Sequence, residues 1–255
     1  MNKPKSKIRA KTLRALSLTR KELRSWLRSP ALYAITVFFL LFVSVWFYYL
    51  RRFFAMDTAS LRPFFSGFPF AYTLVIPVLT MKAWAEERKL GTEELLFSLP
   101  FTEWELVLGK FLSCLALLFA MLILTLPVPL SLLSLGYFDT GVILAEYSGA
   151  LLLGAAAAAL GLFFSAVSKN QAASFLGSAA VLLTVTVVSD LLAGRFDLPA
   201  VPTGFFNFIS LSFHFESFSR GILDSHDIAF FLLSTGLFLF LNTRVLIFRK
   251  WKSHE

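Results

Sequence analysis

Six strongly apolar stretches of this chain run without Asp, Glu, Lys or Arg: 29–50, 63–81, 111–138, 147–168, 170–189 and 228–243. A helix rises about 1.5 Å per residue, so about 20 residues cross a hydrocarbon core about 30 Å thick. Four of the stretches reach that length and 63–81 nearly does. The last is shorter but continues as Val245-Leu246-Ile247-Phe248 past Arg244, whose long side chain can snorkel to the interface. Hydrophobic residues make up 57% of the chain and charged ones 16%, where a soluble domain carries roughly a quarter. Buried core helices of a soluble protein explain one such stretch, not six. The expectation is an all-α polytopic membrane protein with six transmembrane helices.

Charge sets the orientation. Residues 1–29 hold ten Lys or Arg and one acid, Glu22. A basic run beside the first span stays in the cytoplasm. Six spans return the C-terminus, with Arg244, Arg249, Lys250 and Lys252, to the same side. All 24 basic residues then lie inside except Arg51, Arg52, Arg62, Arg195 and Arg220. The net charge of +8 is explained by anionic lipid and insertion, so no nucleic-acid partner is expected. The first apolar segment runs without a cleavage signal into Trp46-Phe47-Tyr48-Tyr49, an interfacial belt at the end of a retained span. The single cysteine, Cys114, excludes an intrachain disulfide and a cysteine-cluster metal site.

Three regions follow. Residues 1–28 are a cytoplasmic basic tail, disordered over 1–10, and an amphipathic helix from Thr12 to Arg28. Leu13, Leu16, Leu23, Trp26 and Leu27 form its apolar side, with Leu18 off the stripe. Such a helix before a span lies in the interface. Residues 29–248 form the transmembrane domain and 249–255 a cytoplasmic tail. Pro30 suits the first turn of the first span. Pro69 and Pro77 flank or interrupt the second, and Pro127 and Pro129 kink the third or end it near Leu126. Gly154, Ala155–Ala159 and Gly161 allow close helix contact, within the subunit or across a dimer. The outer segment 190–227 is rich in Phe and reads as re-entrant or interfacial.

The segment 82–110 is far richer in charge. Gly91-Thr92-Glu93-Glu94 starts a short helix with Thr92 as cap and acids in the first turn. After Pro100, Thr102 and Glu105 have capping-box spacing. This compact hairpin either docks a partner or merely caps span ends in water. In the docking reading Glu86, Glu87, Arg88, Glu93 and Glu94 make polar contacts, while Leu95, Leu96 and Phe97 fill an apolar groove.

The same segment resembles the signature of ABC-2 type permeases, E-[RK]-x-x-G-T-x-E-x-L-L-x-x-P followed by a helix ending in G-K. The matching residues are Glu87-Arg88, Gly91-Thr92, Glu94, Leu95-Leu96, Pro100 and Gly109-Lys110. Lys21-Glu22-Leu23 with Ser29-Pro30, and the stretch from His214 to Ile228, are similar to the same family. The latter resembles its gliding-motility and nitrous-oxide-reductase-maturation branch. The resemblance implies six membrane helices behind an interfacial elbow helix, in a bacterial cytoplasmic membrane. It implies a coupling hairpin that engages separate ABC ATPase subunits, which carry the ATP and Mg, and a second permease copy or a related permease. Glu86, Glu87, Arg88, Gly91, Thr92, Glu93, Glu94, Leu95, Leu96, Thr102 and Glu105 then shape the coupling surface. His214, Glu216, Arg220 and Asp224 shape an outer gate or meet an extracytoplasmic accessory protein.

No G-x-x-x-x-G-K-[ST] phosphate loop is present, so no ATPase activity and no cofactor are expected in this chain. His214 with Glu216, and His226 with Asp224 and Asp227, lack a recognised ligand framework, and no metal site is assigned. Glu146, at the outer end of the fourth span, is expected to be hydrated or capping. The alternatives are an ion-coupled secondary transporter, which needs ionisable groups or broken helices near the midplane, and a non-transporting scaffold or mechanotransmission subunit of an ATPase complex.

Overall fold

Ser29-Pro30 starts the first apolar helix as its sequence dictates, with extended backbone at Ser29 and the proline in the first turn, where no N–H is required. The computed structural model describes residues 3–51, 60–98, 101–132, 139–188 and 207–252, with side chains from Arg14 onward except those of Glu94 and Phe97. Twelve helical segments carry the description: α1 (Lys3–Leu27), α2 (Pro30–Val45, continued by a π-turn at Trp46–Leu50), α3 (Arg62–Phe65), α4 (Phe68–Thr80), α5 (Lys82–Lys89), α6 (Thr92–Ser98), α7 (Glu103–Thr125), α8 (Pro127–Leu132), α9 (Thr140–Val167), α10 (Gln171–Leu183, continued by a π-turn at Thr184–Val188), α11 (Leu211–Ser219) and α12 (Ser225–Lys252). Among the described residues, five continuous stretches are long and apolar enough to cross a membrane: Pro30–Leu50, Arg62–Lys89, Glu103–Leu132, Thr140–Val167 and Ser225–Trp251. The sixth expected span, Gln171–Val187, is apolar but shorter. The chain is thus an all-α, multi-pass membrane protein.

Prolines mark the breaks. Pro69 lies in the first turn of α4 and Pro77 inside it, where it removes one backbone donor without ending the helix. The break comes at Met81, and Ser165 of α9 fills it. Its hydroxyl accepts from the Trp84 N–H at 3.1 Å and donates to the Met81 carbonyl at 3.2 Å. α7 ends at Thr125, and Pro127 opens α8.

α9 is the central strut, packed against α4, α5, α7, α10, α11 and α12. Its small residues make this approach possible. A Cβ on Gly154 would lie 2.6 Å from Leu118 of α7, and one on Gly149 would lie 2.6 Å from Phe218 of α11. Ala156–Ala159 are buried. The small-residue run is therefore consumed by contacts inside the subunit.

Cross-links sort the helix ends into two groups. At one end Thr19 of α1 donates to the Gly109 carbonyl of α7 (3.1 Å), Lys250 of α12 donates to Glu103 of α7 (2.8 Å), and Arg249 donates to the Val167 carbonyl of α9 (3.0 Å). At the other, Thr125 of α7 bonds Tyr147 of α9 (3.0 Å) and Arg62 donates to the Ser219 carbonyl of α11 (2.8 Å). The long helices alternate in direction between these ends.

Two readings of the N-terminus change. The helix begins at Lys3 rather than Thr12, because Lys, Arg and Ala favour helix and Pro4 sits in the first turn. Its buried face is Ala15, Leu18, Thr19 and Trp26, while Leu16 and Leu27 are exposed. Leu18, which falls off the apolar stripe, is central because Gly109 leaves room for it: a Cβ there would meet Leu18 at 2.7 Å. Thr19 joins that face because a carbonyl awaits it.

Candidate functional site

The α5–α6 hairpin turns at Gly91, whose φ of +68° falls in the left-handed region that glycine enters without a Cβ clash. Thr92 opens α6, and its hydroxyl donates back to the Glu87 carbonyl at 3.2 Å, closing the turn. Beyond the hairpin, Thr102 and Glu105 form the capping box at the start of α7. The Glu105 N–H donates to the Thr102 hydroxyl at 3.4 Å, and the Thr102 N–H donates to the Glu105 carboxylate at 2.8 Å. Two backbone donors with no partner inside the helix are thereby satisfied.

A cleft of about 680 Å³ opens between α1, α5, α6 and the start of α7. Leu18, Trp26, Leu90, Leu95, Leu96 and Phe101 supply its apolar lining, and Lys21, Glu22, Lys82, Glu86, Glu87 and Lys110 its charged lining. Lys110 lies at its floor, with a side chain only 2% exposed. Its ammonium donates to Glu87 at 2.9 Å and to Glu22 at 3.1 Å, and stands 4.8 Å from the centre of the Trp84 ring. Lys21 approaches both carboxylates from outside, at 3.6 and 3.7 Å. A buried ammonium is tolerated only with such compensation. This cluster joins α1, α5 and α7 in one electrostatic knot.

Arg88, the next residue, points the other way. It donates to the carbonyl of Ala166 at 3.0 Å and to that of Ser168, and its Nε reaches Glu93 at 3.2 Å. The two carbonyls belong to the C-terminal end of α9, where acceptors lack helical partners and the helix dipole favours a cation. Arg249 serves the Val167 carbonyl between them. Consecutive residues Glu87 and Arg88 thus tie one hairpin to two different long helices.

The residues grouped by sequence as a coupling surface therefore divide. Glu87, Arg88 and Glu93 are held by internal ion pairs, and Leu96 and Glu105 are buried. Glu86 lines the cleft. Gly91, Thr92, Leu95 and Thr102 are exposed, and Leu90, which the sequence reading passed over, is exposed as well. The side chain of Glu94 lies outside the described set. Lys110, Glu22 and Trp84 were not singled out individually as site residues. A lysine at the start of an apolar span, with acids on neighbouring segments, was the available signal.

At the opposite end, Glu216 and Arg220 form an exposed i,i+4 pair at 2.6 Å, which pushes the Arg220 guanidinium above its ordinary pKa. Asp224 is exposed and accepts from the His226 N–H at 3.0 Å. His214 is buried and bonded to Asp227, so it is not part of a surface. Residues 189–206 of the outer segment lie outside the described residues; its remainder includes α11. Glu146 departs from expectation: it is fully buried, and neither carboxylate oxygen has a hydrogen-bond partner. The bundle packs Phe65, Tyr147 and Phe218 around that end of α9, closing it to water.

The described residues form a multi-pass helical bundle, closed at one end by a polar knot beneath a capped hairpin. The ABC-2 family transporter protein family matches residues 16–242, and the chain belongs to it. Permeases of that family are non-catalytic membrane components, and membership implies an associated ATPase in general terms. No curated protein matches the sequence.

Proposed function

We propose that this chain is the permease subunit of an ATP-driven exporter, and that a separate ATPase docks on the α5–α6 hairpin and the cleft beside it. The observation that carries the reading is the contrast between the hairpin's tip and its base. Leu90 and Leu95 are 68% and 67% exposed, apolar residues held out at the edge of a charged cleft. The base is locked by Glu87 to Lys110 of α7 and by Arg88 to the end of α9. An apolar tip on a rigid base suits a lever. A partner that closes on ATP moves the tip, and the ion pairs carry that displacement to α7 and to the central helix. Two permeases, identical or related, with two ATPase subunits holding ATP and Mg would give the symmetric closure that expels or extracts a substrate.

In this reading the apolar helix from Gln171 makes the sixth crossing. The basic end faces the cytoplasm with both termini, in a bacterial inner membrane. α1 is the elbow, with Leu16 and Leu27 turned to lipid and Leu18 to α7. The exposed Glu216, Arg220 and Asp224 offer polar contacts to an extracytoplasmic accessory protein. The stretch from His214 to Ile228 resembles the gliding-motility and nitrous-oxide-reductase-maturation branch of the family.

The test is co-purification in mild detergent of the intact chain and of a Leu90→Asp, Leu95→Asp variant. Both substitutions are at exposed positions, so insertion and folding should persist. An ATPase that accompanies the intact chain and is lost from the variant supports the coupling surface. A well-folded intact complex without any ATPase overturns it. One observation favours ion-coupled secondary transport instead: Glu146 is an ionisable group buried within a span. That reading requires gradient-driven substrate flux without ATP, abolished by Glu146→Gln.

A further inference from the structure

α12 spans about 40 Å at 1.5 Å per residue, so its first turn lies at the end of the bundle remote from the hairpin cleft. There His226 and Asp227 come against His214 of α11. One donor atom from each of these three side chains lies within 4.8 Å of the others. His214 and Asp227 are buried, whereas His226 is 66% exposed. Sequence alone paired these residues differently, because thirteen positions separate His214 from Asp227.

We propose that His214, His226 and Asp227 bind a divalent transition-metal ion, with zinc the best match. The neighbours of His214 set its tautomer. Its Nε2 lies 3.1 Å from the Phe208 carbonyl, and a carbonyl oxygen can only accept, so Nε2 carries the hydrogen. In the neutral ring Nδ1 is then a lone pair, and it faces Asp227 Oδ1 at 2.6 Å. A lone pair and a carboxylate at that distance require a cation between them. A proton meets the requirement for two groups, but the third donor, His226 Nδ1, stands 3.6 Å from the same oxygen. Three donor atoms within 4.8 Å of one another suit a metal ion better than a proton.

The surroundings fit that role. Metal-bound histidines characteristically donate their second ring N–H to a carbonyl or carboxylate, which fixes the tautomer and the ring plane. The Phe208 carbonyl does this for His214, and Phe230 stacks on the same ring with centroids 3.8 Å apart. Asp224 holds the His226 backbone through its N–H at 3.0 Å. Two donors bound at about 2.0–2.1 Å in tetrahedral geometry stand about 3.3 Å apart. Asp227 and His226 are already close to that spacing, and His214 and Asp227 reach it by parting about 0.7 Å. Two imidazoles and one carboxylate favour zinc and its neighbours over magnesium or calcium, and leave a fourth position for water on the exposed His226 side. The ion would clamp α11 to α12 across the turn at 220–224.

The test uses the full chain in detergent, purified on a histidine-free tag, treated with chelator and titrated with Zn²⁺ against a chromophoric competitor. The intact chain is expected to bind one zinc per chain. His226→Ala, which removes an exposed side chain and leaves the His214–Asp227 bond intact, should weaken binding at least about tenfold with an unchanged elution profile. Replacing the remaining histidine, His254→Ala, should leave binding unchanged. Co²⁺ in place of zinc should give the visible absorption of a four-coordinate site in the intact chain only. Absence of saturable binding by the intact chain, or equal binding by His226→Ala, overturns the proposal.

Discussion

Lys110 of α7 donates to Glu87 of α5 at 2.9 Å from a position almost wholly closed to solvent. Glu22 of α1 completes the cluster, so a single ammonium holds three elements together. The bond lies at the floor of the cleft beside the hairpin, beneath the face proposed as the docking surface.

Replacing Lys110 with Met keeps the volume but leaves two carboxylates facing each other with only the more distant, exposed Lys21 as counter-charge. Breaking a buried ion pair on one side costs about 3–5 kcal/mol. Thermal unfolding in detergent should show that loss. The double variant Lys110→Met, Glu87→Gln should recover part of it. Equal stability of the intact and single-variant proteins would contradict the buried knot.

Arg88→Lys retains the charge but not the fork that reaches Ala166, Ser168 and Glu93 together. Loss of one or two charge-assisted hydrogen bonds is expected to cost about 1.5–3 kcal/mol each at most. Hydrogen exchange should rise at the C-terminal end of α9 and in α6. In the assembled complex, ATP hydrolysis should persist while transport falls.

Gly154→Val puts a Cβ 2.6 Å from Leu118, and the branched side chain has nowhere to turn between α7 and α4. Overpacking of this kind costs about 1–3 kcal/mol. A lowered melting temperature checks it. Gly236→Val, at a glycine whose added Cβ meets nothing within 4 Å, serves as the control and should be near neutral.

Glu146→Gln replaces a buried carboxyl whose oxygens have no hydrogen-bond partner with an amide of nearly the same shape. The substitution should be near neutral, within about 1 kcal/mol, since either side chain buries an unpartnered polar group. A large destabilisation would mean that the carboxylate has a partner in the working assembly.

Local chemistry was legible residue by residue. Ser29-Pro30 marks the start of α2, Thr102 and Glu105 spell out the capping box, and Pro127 ends α7, because each depends on neighbours within one turn. The length of apolar stretches also fixed the class of solvent. The face of α1 was not legible. Hydrophobic spacing selected Leu16 and Leu27, but the partner surface on α7 offers a carbonyl and a glycine hollow, so Thr19 and Leu18 are buried instead.

The sequence by itself determined that this chain is a helical membrane protein, where its turns and caps fall, and which segment carries the ABC-2 signature. Those properties follow from solvent transfer and from backbone groups a few residues apart. Only the tertiary structure decided that Glu87 and Arg88 face opposite ways into α7 and α9, that Glu146 is sealed from water, and that His214 meets His226 and Asp227. Such pairings join residues from different helices, and no local free energy distinguishes them before the helices pack.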